Sequence, residues 1–183
     1  MPEMETYRLV IRRFKADDWQ DLHEYLSQEA VVRFEPYPAY NEAACKQEAF
    51  KRSQSDSFWA VCLKGQPKLI GNLYFQRQEP PEFRTWELGY VFNPQYYGKG
   101  YATESCRRIL DYGFQELQAY RIIAMCNPEN VASWQLLERL GMRREGHLRK
   151  NIFFKYDPNG QPIWNDTYEY ALLSEEWAHH SRD

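Results

Sequence analysis

Apolar and polar positions alternate from residue 5 to residue 14, ETYRLVIRRF, a period of two that predicts a strand. Asp17 and Asp18 then offer an N-cap to a helix in which Trp19, Leu22, Tyr25 and Leu26 share one face. Residues 31–40 carry Pro36 and Pro38 and read as irregular, whereas 41–54 is polar, rich in helix formers and preceded by Asn41 in cap position. Three strand-like runs follow at 57–64, 68–78 and 84–93, broken by Gly65-Gln66-Pro67 and by Pro80-Pro81, and they predict an antiparallel meander. Beyond Gly98 and Gly100 the period becomes helical, with Ala102, Cys106, Ile109, Gly113 and Leu117 on one side. A strand at 121–127 leads to a helix at 131–141, where Trp134, Leu137 and Leu140 repeat at helical spacing and Gly141 supplies the stop. Two strands, 142–155 and 164–173, close the chain around the turn Asp157-Pro158-Asn159-Gly160. The elements add up to about seven strands, mostly antiparallel, and about four helices, an α/β (α+β) arrangement. No repeat, low-complexity tract or linker interrupts residues 1–183, so one domain is expected.

Composition narrows the functional classes. The chain has 183 residues, 43% of them hydrophobic and 16% aromatic, too much apolar area for a disordered segment. Its net charge of −3 lacks the basic field that holds proteins on phosphate backbones, so no nucleic-acid partner is expected, and Arg107-Arg108 and Arg143-Arg144 read as solvated faces. Cys45, Cys62, Cys106 and Cys126 show neither CxxC spacing nor a histidine at ligand distance, which predicts reduced core thiols and no metal. His147 reads as structural or exposed, and His179-His180 as part of the tail. No basic leader or long apolar window is present, so no membrane partner is expected and the cytoplasm is the expected compartment.

The segment Gln95-Tyr96-Tyr97-Gly98-Lys99-Gly100-Tyr101-Ala102 lies between a predicted strand and a predicted helix start. A helix N-terminus leaves its first N–H groups unpaired and carries about half a positive charge, which suits an anion such as a diphosphate. The glycines are also what any tight turn of this kind requires. The segment is neither a GxxxxGK[ST] loop nor a dinucleotide fingerprint.

Gln95-x-x-Gly98-x-Gly100-x-Ala102 resembles the Q/R-x-x-G-x-G/A pattern with which GNAT acetyltransferases bind the diphosphate of coenzyme A. The run from Asn130 to Gly146, NVASWQLLERLGMRREG, resembles the N-x-A-S, E-x-L-G-F and E-G blocks of the Rim-type branch, the ribosomal-protein N-terminal acetyltransferases. Glu87-Leu88-Gly89-Tyr90 and Tyr168-Glu169-Tyr170-Ala171-Leu172-Leu173 look like the same branch, and Gln95 and Met142 stand where arginine and phenylalanine are usual there. The resemblance implies the GNAT fold, acetyl-CoA as co-substrate, and acetyl transfer to a primary amine by direct attack through a tetrahedral intermediate. The implied acceptor is a protein N-terminal α-amine or a small molecule such as an antibiotic or polyamine, with the chain working as monomer or homodimer. A non-catalytic acyl-CoA-binding regulator is the alternative from another class.

Such a transfer needs a neutral amine, a polarised carbonyl and relief for the departing thiolate. An α-amine, with a pKa of about 8, asks less of a base than a lysine at about 10.4. Glu87, on the strand entering the loop, is the candidate base, acting through a water; it reads equally as a carboxylate that orients the ammonium or pairs with Arg84. Ser133 is read either as lining its helix or as lying beside the sulfur, where the branch resemblance puts it, because Trp134 cannot serve as an ionisable hydroxyl. Asn130 can cap its helix and hydrogen-bond the coenzyme arm. The oxyanion donor is expected among the backbone amides of Val91, Phe92 and Asn93, and Gln95, Gly98, Lys99, Gly100, Tyr101 and Ala102 complete the expected coenzyme site. Phe34, Tyr37, Tyr40, Trp59, Tyr74, Phe75 and Trp86 could line the acceptor cleft, though core packing accounts for most such residues.

Overall fold

A computed structural model describes residues 3–180 of the chain, with the side chains of His179 and His180 outside the described residues. Eight strands form one sheet: β1 Met4–Glu5, β2 Leu9–Arg13, β3 Phe58–Leu63, β4 Leu69–Arg77, β5 Thr85–Phe92, β6 Arg121–Cys126, β7 Arg143–Tyr156 and β8 Pro162–Leu173. Their spatial order is β1-β2-β3-β4-β5-β6-β8-β7. Every neighbouring pair is antiparallel except β5 and β6, which run parallel. The helices are α1 Trp19–Leu26, α2 Glu42–Ser53, α3 Tyr101–Asp111, α4 Val131–Arg139 and α5 Ser174–His180.

The sheet separates two cores. On one face Leu22, Tyr25 and Leu26 of α1 and Cys45 and Ala49 of α2 pack with Ala60, Leu69 and Val91. On the other, Cys106, Ile109 and Leu110 of α3, Leu136 and Leu137 of α4 and Trp177 of α5 pack with Leu73, Phe75, Leu88 and Ile122. Successive residues of β5 therefore alternate between the cores, as the two-residue strand period requires. All four cysteines are buried and free, and burial pushes the thiols of Cys45, Cys62 and Cys126 to about 11.

Several boundaries depart from the sequence pattern. The expected strand at 5–14 is a short hairpin, in which Thr6 N–H donates to Leu9 O and β1 folds back on β2. Asp18 does not cap α1: its carboxylate accepts from Lys15 N–H and forms a two-pronged pair with Arg12, closing the turn before the helix. Asn41 does cap α2, its Oδ1 accepting from Ala44 N–H at 2.9 Å. The predicted helix through Leu117 ends as an α-helix at Asp111 and widens into a π turn at Tyr112–Glu116. The widening seats Gly113 where a Cβ would lie 2.7 Å from the Phe75 ring, a contact only glycine permits. Beyond Leu173, residues Ser174–His180 form a helix, α5, held by Trp177 in the core and by the Trp177 indole N–H on Asp111.

Candidate active site

The one parallel junction opens in the middle of the sheet. β5 and β6 pair only at Thr85–Arg121, Trp86–Ile122 and Glu87–Ile123, and β5 then continues to Phe92 alone. Two bonds give the direction of the amides: Gln78 N–H donates to Thr85 O and Asn93 N–H to Ile70 O. In an antiparallel ladder bonded and non-bonded pairs alternate, so with the register Gln76–Glu87 to Asn72–Val91 the amides of Gly89, Val91 and Asn93 face β4. Those of Tyr90 and Phe92 face the opening that β6 has left. A cleft of about 990 Å³ runs through this opening, bounded by Leu88 to Phe92 on one side and Ala124 to Asn127 on the other.

The loop after β5 brings a second set of amides to the same cleft. Asn93 is fully buried; its Oδ1 accepts from Gln95 N–H and its Nδ2 donates to Glu24, which fixes the turn Pro94–Tyr96. Gly98 and Gly100 follow with φ of 72° and 79°, the left-handed region that glycine enters at no steric cost. Arg8 braces the loop from β2's approach, donating to Lys99 O at 2.9 Å while its guanidinium pairs with Glu104 of α3. From Gly98 to Thr103 no amide N–H meets a protein acceptor among the described residues. A Cβ on Gly98 would project into open space at the mouth of the cleft.

Where the strands have separated, three polar side chains meet. The Tyr90 hydroxyl lies 2.9 Å from Ser133 O and 3.0 Å from Ser133 Oγ, and burial raises the neighbouring Cys126 thiol while Ser133 draws it down. Burial drives the Tyr90 phenol well above its usual pKa. Asn130 caps α4, accepting from Ser133 N–H.

On the α1/α2 face the cleft is made of side chains from distant segments. Glu87 stands at the fork, its carboxyl raised by burial and bonded by Gln78 Nε2 at 3.0 Å. Opposite it, the 31–40 segment contributes Phe34, Glu35 and Tyr37, and burial raises the Glu35 carboxyl against a hydrogen bond from Tyr37. The β7–β8 hairpin adds Ile152, Phe154 and Asp166; the backbone N–H of Lys150 and the His147 ring hold the Asp166 carboxyl low. An ion pair between Arg33 and Glu129, 2.8 Å long, spans from the 31–40 segment to the loop before α4.

Residues 8–143 match the acetyltransferase (GNAT) domain model. The chain belongs to the GNAT acetyltransferase family. It is 40% identical over 173 residues to the uncharacterized N-acetyltransferase YnaD of Bacillus subtilis (strain 168), covering 94% of this chain and 97% of that one. It is 27% identical over 164 residues to the spermidine N(1)-acetyltransferase of Escherichia coli (strain K12), covering 88% and 83%. A GNAT-family acetyltransferase from Bacillus anthracis superposes with a TM-score of 0.86 at 38% identity, covering 96% of this chain and all of that one. The protein is an N-acetyltransferase with the GNAT fold, here an open mixed sheet of eight strands with five helices where about seven and four were expected.

The family uses acetyl-CoA, and the loop offers features that suit a diphosphate: amides without protein acceptors among the described residues, glycines without a Cβ and a helix N-terminus behind. Of the residues expected to hold it, Val91, Phe92, Gly98, Gly100, Tyr101, Ala102 and Asn130 line the cleft, as do Glu87 and Ser133. Asn93, Gln95 and Lys99 do not. Asn93 is turned inward and its amide is spent on Ile70, Gln95 is exposed, and the Lys99 side chain lies over the Tyr96 ring. Among the aromatics, Trp59 and Phe75 are core residues while Phe34, Tyr37 and Tyr74 reach the cleft. Sequence reasoning missed Tyr90, Cys126, Glu35 and Asp166. For Tyr90 the strand period carried a signal, since it places that residue on the face of α4; for the others, no local pattern marks them. Among the described residues no His/Cys/Asp/Glu cluster could hold a metal and no helix is long and apolar enough to cross a membrane.

Proposed function

We propose that the protein, acting as one domain, transfers the acetyl group of acetyl-CoA to the primary amine of a small cationic molecule. The observation that carries this reading is the fork at Glu87 and Ile123. There the parallel pairing of β5 and β6 ends, free amides of one strand face a cleft, and a carboxylate stands at its apex. Acetyl-CoA supplies the activated acyl group. The amides from Gly98 to Thr103 bind its diphosphate, and Asn130 orients the arm that follows. The Phe92 N–H, directed into the opening, is the oxyanion donor, a fixed dipole of a kind worth about 3 kcal/mol in acyl transfer. Glu87 takes the proton of the attacking amine through a water, since burial raises its basicity.

The acceptor class follows from the α1/α2 side of the cleft. Glu35, Glu87 and Asp166 come from three separate walls and are interspersed with Tyr37, Phe58 and Tyr74, an arrangement that attracts an ammonium and packs its methylenes. The Arg33–Glu129 pair crosses from the 31–40 segment to the loop before α4 and favours a small molecule over a folded protein's terminus. A protein N-terminal amine is the second reading, favoured by the Rim-type block from Asn130 to Gly146. Thiol release from acetyl-CoA, measured against diamines, polyamines, aminoglycosides and N-terminal peptides, decides between them. Turnover of peptides alone overturns the small-amine reading, and tight acetyl-CoA binding with no release for any acceptor supports the non-catalytic alternative.

A further inference from the structure

Tyr90, Cys126 and Ser133 come from β5, β6 and α4 and meet where the two strands have parted. The Tyr90 hydroxyl has one proton and two neighbours on Ser133: a carbonyl oxygen at 2.9 Å that can only accept, and a hydroxyl at 3.0 Å that can do either. When the Tyr90 proton points at the carbonyl, the Ser133 hydroxyl completes the contact by donating to Tyr90 Oη. When the Ser133 proton turns elsewhere, the Tyr90 proton can swing onto Ser133 Oγ. The pair thus has two settings with the same heavy-atom positions, and the change between them needs only two hydroxyl rotations. Neither group loses its proton, because burial keeps the phenol neutral.

We infer that Tyr90 is a positioning residue that frees the Ser133 hydroxyl to donate a hydrogen bond to the sulfur of coenzyme A as negative charge develops there. The inference rests on the acetyl-transfer reading of the cleft. The bond from nitrogen to the acetyl carbon forms, the amine proton passes to Glu87, and the carbon–sulfur bond breaks with its electron pair going to sulfur. Ser133 turns its proton toward that sulfur, and Tyr90 turns its own from the Ser133 carbonyl to Ser133 Oγ, so the serine oxygen stays bonded. The thiolate leaves hydrogen-bonded and is protonated from solvent. A switch prepared in this way holds the serine proton on Tyr90 Oη at rest and delivers it to the sulfur where charge appears in the transition state.

The test uses the full chain and coenzyme A itself, and requires no knowledge of the acceptor. The thiolate of bound coenzyme A is followed by its ultraviolet absorbance as pH rises. The chain's own Cys45, Cys62 and Cys126, pushed to about 11, ionise above the window of interest. In the wild type the bound thiol titrates below free coenzyme A. Tyr90→Phe and Ser133→Ala each raise the midpoint, leaving about tenfold less thiolate at a given pH. Tyr90→Phe on the Ser133→Ala background adds nothing, because the effect travels through the serine. Coenzyme A that binds with an unchanged midpoint in Tyr90→Phe overturns the inference alone, as does a full additional shift in the double variant. Failure of calorimetry to detect coenzyme A binding by the wild type overturns the acetyl-transfer reading with it. A melting temperature for Tyr90→Phe near that of the wild type separates the effect from a loss of packing.

Discussion

The two walls of the cleft are built by different means. The wall formed by β5, the 94–100 loop and α3 presents backbone amides held by short-range turns, with Arg8 and Asn93 bracing them. The wall formed by the 31–40 segment and the β7–β8 hairpin presents carboxylates and aromatic rings from residues more than a hundred positions apart, such as Glu35 and Asp166. A backbone cradle suits a ligand shared by a whole family, because it tolerates changes of side chain. A side-chain wall suits a ligand that varies, because each residue can change without disturbing the fold.

Substitutions that strike one wall and spare the other sharpen the contrast. The largest effect is expected at the apex the walls share: Glu87→Gln lowers kcat by about a hundredfold or more at neutral pH while acetyl-CoA affinity holds. Only the ionised carboxylate accepts a proton, and burial has raised its pKa above 4.5. The acid limb of kcat/KM therefore falls as pH drops through that raised value, and it disappears in the variant; an unchanged pH profile would show that Glu87 is not the base. On the donor wall, Gly100→Val forces a β-branched residue to φ of 79°, with its Cβ 3.3 Å from Arg8 Nη2. The left-handed penalty of roughly 1–2 kcal/mol weakens acetyl-CoA binding about tenfold by calorimetry. Acceptor KM measured at saturating acetyl-CoA stays near the wild-type value.

On the acceptor wall the expected effects are smaller. Arg33→Glu breaks the bridge to Glu129, and because both partners are exposed the acceptor KM rises by about twofold to fivefold, less at high salt. The exchanged pair Arg33→Glu with Glu129→Arg restores it; a KM that ignores both changes means the bridge plays no part in acceptor binding. The smallest effect lies outside the cleft. Arg121 and Arg143 pull the Glu145 carboxyl down to about 2. A depressed carboxylate adds stability above its unfolded pKa and loses it as pH falls from 4.5 through about 2. Glu145→Gln therefore flattens acid denaturation across that window and leaves both substrates' kinetic constants alone, a combination that circular dichroism and steady-state assays read together.

Much of the donor wall was legible before any coordinates. The strand entering the loop, the paired glycines and the helix start are contiguous, and local steric rules make their spacing informative: φ near 75° at Gly98 and Gly100 is what their placement demanded. Asn41 and Asn130 acted as caps for the same local reason. Asp18 misled, because a carboxylate near a helix start can serve the turn before it instead, and Arg12 drew it there. Asn93 misled in the opposite way, since the partner that turns it inward, Glu24, lies far off in sequence.

Short-range order was thus decided by the amino-acid sequence itself: element types, the glycine turn at 98–100 and the chemistry of amides without partners, all of which depend on residues a few positions apart. Tertiary structure alone decided that pairing between β5 and β6 would stop at Glu87, and that amide direction would select Phe92 over Asn93. It alone brought Tyr90 to Ser133, and Glu35 within one cavity with Asp166. Contacts of that range depend on how sheets twist and helices pack, and no local pattern of residues encodes them.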